Sequence, residues 1–461
     1  MHATLFKKFL LLVGDIVMLY SALALTLLVR YGQEAWSVQW DIHLLPLSII
    51  FVLWIGILYI TGLYDVQRAK NNVLFFRNFL EALVASTALA IAVFYISPFF
   101  SIAPKTNLLI TVGFYGLLFT LWRMLYNQVL APRLLRRRVL FVGRTLEVEE
   151  LVGVFNRNPQ LGYLPVALVE LTENAGGPIT GIERYTTLKH IRAIVTAHEI
   201  DTVVLAIDIH EQRALTQELY ELIFWNLDII NIATLYEHIT GRVPIASLSE
   251  SWFLENLHTR HRMYDAFRVS FDTVFALVLL VITAIMTPFL ALLIRGSSPG
   301  PLFIRQIRIG KNGKRYTIAK FRTMKALAAD GSAELDGAAA FAQEGDARVT
   351  RVGNYLRKFR IDEFPQAWNI LKGEMALIGP RPERPEFVEK ITDSMPFFTV
   401  RHIVRPGLTG WAQINYPYAK SFEEMLVKLQ YDLYYIKNRS IMIDVAIFLK
   451  TINVMIRRKG L

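Results

Sequence analysis

The sequence has no cysteine, which excludes disulfides, thiolate metal sites and a cysteine nucleophile. It also lacks a D-x-D motif, the acidic pair through which metal-dependent glycosyltransferases hold a nucleotide-sugar. No cleavable leader is expected, because the first apolar run is too long and has no small-residue cleavage site. Acids are scarce relative to bases: 39 Asp and Glu against 50 Lys and Arg give a net charge of +11 with His neutral. That balance favours an anionic membrane face or phosphate-bearing ligands as partners, and nothing in the chain points to nucleic acid.

What the chain does have is apolar sequence. At 53% hydrophobic residues and a positive mean hydropathy, 461 residues are too apolar for a soluble protein. Four runs of spanning length fill the first third: Phe9 to Val29, Leu44 to Tyr64, Leu80 to Phe99 and Leu108 to Tyr126. Cations precede the first (Lys7, Lys8), separate the second from the third (Arg68, Lys70, Arg77) and follow the fourth (Arg133, Arg136, Arg137, Arg138), which predicts cytoplasmic ends for a four-helix bundle. Asp15, inside the first run, is expected to hydrogen-bond to a neighbouring helix, the alternative being an ion path.

A fifth run, Phe271 to Ile294, is also long enough to cross. Arg260, Arg262 and Arg268 precede it and Arg295, Arg305 and Arg308 follow it, so a crossing would export a basic domain against the positive-inside bias. Pro288 removes a backbone donor, and the Thr287 hydroxyl can bond back to a freed carbonyl. The expectation is a kinked helix that enters the cytoplasmic leaflet and returns; a bent full span is the alternative.

Between Val139 and about Leu248 the pattern is that of a soluble α/β domain. RRRVLFVGRTLEVEELVGVF reads as strand, glycine turn and helix, and Thr202 to Asp208 as another central parallel strand, a Rossmann-type arrangement. The dinucleotide fingerprint is missing, since Gly143 is followed by Arg144, Thr145 and Leu146. A domain that positions or regulates its neighbours fits this better than a cofactor site.

The last third is dense in groups suited to phosphate chemistry. Gly300 to Met324 alternates apolar and basic positions around Gly310 and Gly313, as for a short hairpin with cations on one side. Lys320 and Arg322 share a face if that segment is extended; a basic surface resting on anionic lipid is the plainer reading. Then comes RKFRIDEFPQ (357–366), in which Asp362 and Glu363 follow Arg357, Lys358 and Arg360. Pro365 suits the first turn of a helix through Trp368 and Leu371, so the acids could serve only as cap and dipole partners. Two adjacent acids exceed what one cap needs, and GPRPERPEF (379–387) adds a second cationic cluster nearby. Such a set could hold a diphosphate and its metal: a carboxylate attacks phosphorus once cations neutralise the phosphoryl oxygens. Two acids without a histidine cluster suit Mg²⁺, or Mn²⁺, rather than zinc.

These residues resemble a known family. RxxxxDExPQxWNxLxGxMxLxGPRPxRP, preceded by KFRTM and DARVTRVGNYLRK and followed by RPGLTGWAQIN (405–415), is similar to the bacterial monotopic polyprenyl-phosphate sugar-1-phosphate transferases, over about Arg260 to Leu461. Residues 430–451 resemble the exopolysaccharide group. The resemblance implies a four-helix transmembrane bundle at 1–130, a degenerate Rossmann-like α/β domain at 131–255, and an α/β catalytic unit at 256–461 with a re-entrant helix at 271–294. It implies that Asp362 is the nucleophile that takes the phosphosugar from a UDP-sugar and that Glu363 is its partner at the Mg²⁺ site. Lys320 and Arg357 match cations near the phosphates, Arg322 lies in the same KFRTM motif, and Pro380, Arg381 and Pro382 match the loop that receives the uridine. Thr287-Pro288 stands where the family usually has Ser-Pro, and Tyr416 where glycine is common. The implied partners are a UDP-sugar, polyprenyl phosphate and membrane lipid at the cytoplasmic face of a bacterial inner membrane, with a homo-oligomer left open; UMP is the released product.

Tyr431, Tyr434, Tyr435 and the basic tail Arg457, Arg458, Lys459 suit a membrane interface, the tyrosines equally a packed helix face. The Ala-rich insert from Ala326 to Gly345 reads as a mobile loop. Two rivals stand beside the transferase: a metal-dependent glycosyltransferase, which the missing D-x-D disfavours, and a non-enzymatic scaffold or nucleotide sensor built on the middle domain.

Overall fold

The computed structural model describes residues 2–456 apart from 66–70, 97–104, 129–135, 171–178, 180, 188–190, 208–219, 221–222, 226, 246–249, 258–261, 328–345, 347 and 417–420. Arg68, Lys70, Phe99, Arg133, Asp208, Arg260, most of the Ala-rich insert and the tail Arg457, Arg458, Lys459 lie outside the described residues. The chain divides into two compact units, Met1–Thr240 and Gly241–Leu461.

The first unit opens with α1 (His2–Ile60), α2 (Val73–Ile96) and α3 (Lys105–Leu125). α1 is two arms rather than one rod. Gly32 sits at φ 72°, which a side chain would oppose, and the arms fold back so that Tyr20 OH and Ser48 Oγ lie 2.8 Å apart. The first two apolar runs fall on the two arms of α1 and the others on α2 and α3, and each of these three helices is long and apolar enough to cross a membrane. Asp15 bonds to a neighbouring helix as expected: its Oδ2 accepts from Arg123 Nη2 of α3 at 2.6 Å, both side chains fully buried. The Arg123 guanidinium also lies 4.8 Å from the Phe119 ring centre, 5.3 Å from that of Tyr64 and 5.9 Å from that of Phe75, so apolar surroundings and charge are reconciled by one pair and three rings.

The rest of this unit is built on a five-stranded sheet of β1 (Arg137–Val142), β2 (Tyr163–Val169), β3 (Glu183–Tyr185), β4 (Thr202–Leu205) and β5 (Asp228–Asn231), all parallel, in the order β3-β2-β1-β4-β5, with helices at Leu146–Arg157, Ile191–Ala197 and Ile232–Thr240. That is the Rossmann order, and the continuous apolar runs of β1 and β4 are buried as a sheet covered on both faces requires. At the turn after β1, Gly143 has φ 94°, and a Cβ there would meet the Ile207 side chain at 2.5 Å. Thr145 stands where the fingerprint needs its second glycine, and Arg144 before it is tied to Glu149 at 2.7 Å and Glu170 at 3.1 Å.

The second unit begins before the composition changes. Val243 N donates to Gln430 O at 3.1 Å, and Phe253 stacks on Phe397 with ring centres 4.8 Å apart, so residues 241–257 pack with the C-terminal part. A long helix, Arg262–Ser297, follows, continuous with Pro288 inside it. Thr287 Oγ1 donates to Thr283 O at 2.6 Å, one residue before Ala284, whose carbonyl Pro288 leaves without its usual donor. One face of this helix packs on the unit along its length. Asp272 Oδ1 accepts from Leu377 N at 3.2 Å, Ala276 and Leu279 meet Ile318 and Ile370, and Leu290 and Ile294 meet Phe321 and Leu356. The opposite face, including Val281, Ile285, Phe289 and Leu292, is exposed and apolar.

β6 (Phe303–Ile309) and β7 (Arg315–Phe321) form the expected antiparallel hairpin, closed by Lys311–Gly313 with Asn312 at φ 57°. Its cations do not share a side. Arg305 is exposed, whereas Arg308, three positions on and so on the other face, is half-buried and donates to Pro382 O at 3.1 Å. The tyrosines are a packed helix face and not an interfacial belt: Tyr435 is buried and donates to Asp444 Oδ1 at 2.9 Å, and Tyr434 stacks on Trp411.

Candidate active site

Three short elements bring the acid pair together with its cations. A helix at Arg351–Lys358 is capped by Thr350, whose Oγ1 accepts from Gly353 N at 2.9 Å. Gly353 has no substitute here, because a Cβ would stand 1.9 Å from Thr323 O. The chain then turns at Arg360, held at φ 53° in the left-handed region, into a 3₁₀ helix at Ile361–Gln366. Asp362 and Glu363 occupy its first turn and Pro365 lies inside it, with the α-helix proper at Ala367–Leu371. The proline therefore belongs to a tighter turn ahead of the helix expected from the sequence.

The two acids have different surroundings. Glu363 is buried: its Oε1 accepts from Lys320 Nζ at 3.0 Å and from Arg381 Nη2 at 3.2 Å, and its Oε2 lies 3.7 Å from Arg360 Nη1. Burial alone would raise it, but Lys320, Arg381 and Arg360 hold its carboxyl well below the usual carboxylate range. Asp362 is half-buried and accepts no hydrogen bond among the described residues. Burial, with the Glu363 charge beside it, pushes it up to about 6 against the pull of Lys320, Arg357 and Arg381. Burial likewise lowers the Lys320 ammonium although both acids oppose it. The result is one tied, ionised acid next to one untied acid that titrates near neutrality.

The loop carrying Arg381 is fixed from two sides. β8 (Ala376–Ile378) and β9 (Gly407–Thr409) pair in parallel, with Gly379 N donating to Thr409 O and Gly407 N to Pro380 O, both at 2.8 Å. The backbones touch: a Cβ on Gly407 would fall 2.0 Å from Gly379 N. Arg308 holds Pro382 O, and Arg401 Nη2 donates to Arg381 O at 2.9 Å while pairing with Asp432 at 2.7 Å.

Of the residues singled out in the sequence, Asp362, Glu363, Lys320 and Arg381 converge, and Arg357 acts on Asp362 through its charge while donating from Nε to Thr323 Oγ1 at 2.9 Å. Pro380 and Pro382 contribute carbonyls that hold the loop. Arg322 is elsewhere. β7 ends at Phe321, and the buried Arg322 guanidinium donates to the carbonyls of Ile294, in the last turn of the long helix, and of Ser298 and Pro299 just after it. Thr287 and Pro288 lie within that helix, not among the acids. Two participants were not singled out: Arg360, and Gln413, whose Oε1 accepts from Arg360 Nη1 at 3.0 Å. Arg360 was signalled by its place three residues before Glu363, one turn of a 3₁₀ helix; nothing local marked Gln413.

As donors, the two adjacent carboxylates fit a Mg²⁺ or Mn²⁺ ion, which takes one or two carboxylates and fills its shell with water and substrate phosphates. Among the described residues no group of three or more His, Cys, Asp or Glu side chains is placed to hold a metal.

A family model described as bacterial sugar transferase matches residues 263–458, and one described as CoA-binding domain matches residues 59–233. The chain is 41% identical over 235 residues to the UDP-N-acetylgalactosamine-undecaprenyl-phosphate N-acetylgalactosaminephosphotransferase of Aeromonas hydrophila, covering 51% of this chain and 54% of that protein. It is 38% identical over 183 residues to the UDP-glucose:undecaprenyl-phosphate glucose-1-phosphate transferase of Escherichia coli (strain K12), covering 39% of this chain and 38% of that protein. Against the uncharacterized sugar transferase EpsL of Bacillus subtilis (strain 168) it is 35% identical over 195 residues, 41% of this chain and 88% of that protein. The match thus spans about half or less of the first two relatives and most of the third. The chain belongs to the bacterial sugar transferase family.

Proposed function

We propose that this protein transfers a sugar-1-phosphate from a UDP-sugar to polyprenyl phosphate, as the first membrane step of exopolysaccharide or O-antigen-type glycan assembly. The observation that carries the reading is the unequal pair: Glu363 tied through Oε1 to Lys320 and Arg381 with Arg360 3.7 Å from its Oε2, and Asp362 beside it with no hydrogen bond among the described residues. The names of the relatives supply the donor and acceptor classes.

In this mechanism an Asp362 carboxylate oxygen attacks the sugar-bearing phosphorus of the UDP-sugar. The bond from that phosphorus to the bridging oxygen breaks, and UMP leaves with the electron pair. An oxygen of the polyprenyl phosphate then attacks the acyl phosphate, and the Asp362 carboxylate departs. Lys320 and Arg381 would neutralise charge developing on the phosphoryl oxygens, a role supported by their pull on both acids, and Arg357 acts on Asp362 through its charge. Asp362 and Glu363 would hold Mg²⁺, or Mn²⁺, which neutralises phosphate charge when bound.

The chain works at the membrane from its cytoplasmic face. Both ends of the apolar stretch 271–294 touch the same small unit, through Asp272 to Leu377 and through Ile294 to Arg322, while the other face is apolar and exposed. A helix that crossed the bilayer would draw those charged contacts into hydrocarbon; one that enters a single leaflet and returns keeps them at the headgroups. The test is rapid quenching of purified protein with radiolabelled UDP-sugar and no acceptor. Label on the peptide carrying Asp362, absent in Asp362→Asn, is expected; intersecting initial-rate lines with no trapped label would instead favour direct transfer in a ternary complex.

A further inference from the structure

The loop from Pro380 to Arg384 carries Arg381 to Glu363, and its sequence leaves it unable to hold itself. Pro380, Pro382 and Pro385 supply no N–H, so the loop cannot run on as helix or ladder and its carbonyls need donors from elsewhere. Each of them has one. Pro380 O accepts from Gly407 N at 2.8 Å, Arg381 O from Arg401 Nη2 at 2.9 Å, Pro382 O from Arg308 Nη1 at 3.1 Å, Glu383 O from Ile309 N at 3.0 Å and Arg384 O from Val388 N at 3.0 Å.

Arg401 is the donor that grips the peptide of Arg381 itself. It belongs to the 3₁₀ segment Pro396–Ile403, is 3% exposed, and is held from several sides. The nitrogen that reaches Arg381 O also lies 2.7 Å from Asp432 Oδ2, on the helix Phe422–Lys437. Its Nη1 lies 3.8 Å from Glu383 Oε1, and the guanidinium stands 4.8 Å from the Phe398 ring centre. Asp432 is 2% exposed, so both charges of the pair are out of water.

Satisfying one carbonyl does not require such a pair. Backbone N–H groups serve Pro380 O and Glu383 O without burying any charge, and a buried ion pair is often no more stable than apolar residues in its place. What the pair supplies is direction. A planar fork clamped at Asp432 fixes the carbonyl whose rotation would swing the Arg381 side chain away from Glu363, whose Oε1 lies 3.2 Å from Arg381 Nη2. We propose that Arg401, anchored by Asp432, is a positioning residue for transfer: it holds the Arg381 backbone so that the guanidinium stays at Glu363. The inference rests on the role proposed above for Arg381, and it adds two residues that make no ion pair with Asp362 or Glu363 among the described residues.

The experiment is a double-mutant cycle on the full chain in detergent, with undecaprenyl phosphate as acceptor and the UDP-sugar that gives the fastest UMP release in wild type. Arg401→Met alone would strand Asp432 as an unpaired buried charge, so it is made together with Asp432→Leu, which removes both charges. This paired variant is expected to lower kcat by about 10- to 100-fold, as misplacement of a reacting group does, with KM for undecaprenyl phosphate unchanged. In an Arg381→Gln background it should cost less than about twofold, because the group it positions is already gone. Equal losses in the two backgrounds, or an unchanged kcat in the paired variant, would overturn the proposal. Asp432→Asn keeps the shape and stands in should the paired variant fold poorly: a loss of about threefold is expected, absent in Arg381→Gln, and equal losses in both backgrounds would again overturn it. The same cycle read as melting temperature needs no turnover. Less than additive shifts there, with no UMP released by wild type, would sink the transfer reading and keep the coupling of Arg401 to Arg381; label trapped on Asp362 with additive losses would do the reverse.

Discussion

Lys320 Nζ donates to Glu363 Oε1 at 3.0 Å, across 43 residues of sequence, and so fixes which of two adjacent acids is tied. Replacing Lys320 with Met leaves Glu363 with Arg381 and Arg360 only. Lys320 also holds Asp362 down, so its loss should raise Asp362 further and move the acid limb of kcat/KM upward. Asp362→Asn is expected to cut turnover on the order of 10⁴-fold, as loss of a nucleophile does. Initial rates of UMP release measure both; equal losses for Asp362→Asn and Glu363→Gln with no change in pH profile would argue against distinct roles.

The pH dependence has a definite sign. Burial and the Glu363 charge raise Asp362 to about 6, so the attacking form accumulates above that pH. The kcat/KM profile should fall about tenfold per unit below pH 6. For stability the same shift acts the other way. The folded protein holds this proton to higher pH than the unfolded chain, so its contribution is full below the ordinary aspartate range and is lost as pH rises through about 6. Asp362→Asn, which cannot ionise, should therefore melt no lower than wild type at pH 7 while being inactive.

Metal dependence can be read without turnover. Mg²⁺ should raise the melting temperature of wild type and not of Glu363→Gln, and excess chelator should abolish UMP release. Full activity in chelator would remove the metal from the reaction.

Arg322 is a structural residue at the end of the long helix. Arg322→Ala should cost about 2–4 kcal/mol in stability, since three carbonyls lose a buried charged donor. Arg322→Lys should not restore it, because an ammonium lacks the planar fork. A variant of normal stability with a raised KM for UDP-sugar would return Arg322 to the phosphate site.

Because the chain has no cysteine, topology can be probed with single cysteines on a clean background. Cysteines at Met263 and at Gly296 should both react with an impermeant reagent from the cytoplasmic side. Reaction at Gly296 only from the opposite side would show a full crossing.

The acid pair was legible because its chemistry is local: two carboxylates, three preceding cations and a proline within ten residues. The parallel sheet was legible for the same reason, its strands being continuous apolar runs. The partners of Arg322 were not legible, because sequence does not show where the carbonyls around a helix end will fall, and those of Ile294, Ser298 and Pro299 hold it. Gln413 stayed hidden because its link to Arg360 spans 53 residues and depends on a left-handed Arg360 that no glycine announces. The glycines of GPRP and RPGLTG are repeated letters in the sequence; the structure gives their cause, two backbones in direct contact at Gly379 and Gly407.

The Asp15–Arg123 pair joins residues 108 positions apart, and this sets a timetable for biosynthesis. When the first arm of α1 leaves the insertion machinery its carboxylate has no counter-ion, and none arrives until α3 has been made. An arm released early would carry an uncompensated acid into hydrocarbon, at a cost of several kcal/mol. The opening segments are therefore predicted to wait and enter the lipid together. Chains cut off before Lys105 should be cleared or remain bound to the insertion machinery; stable release of such a fragment into the bilayer would contradict this order, and Asp15→Asn should relieve it.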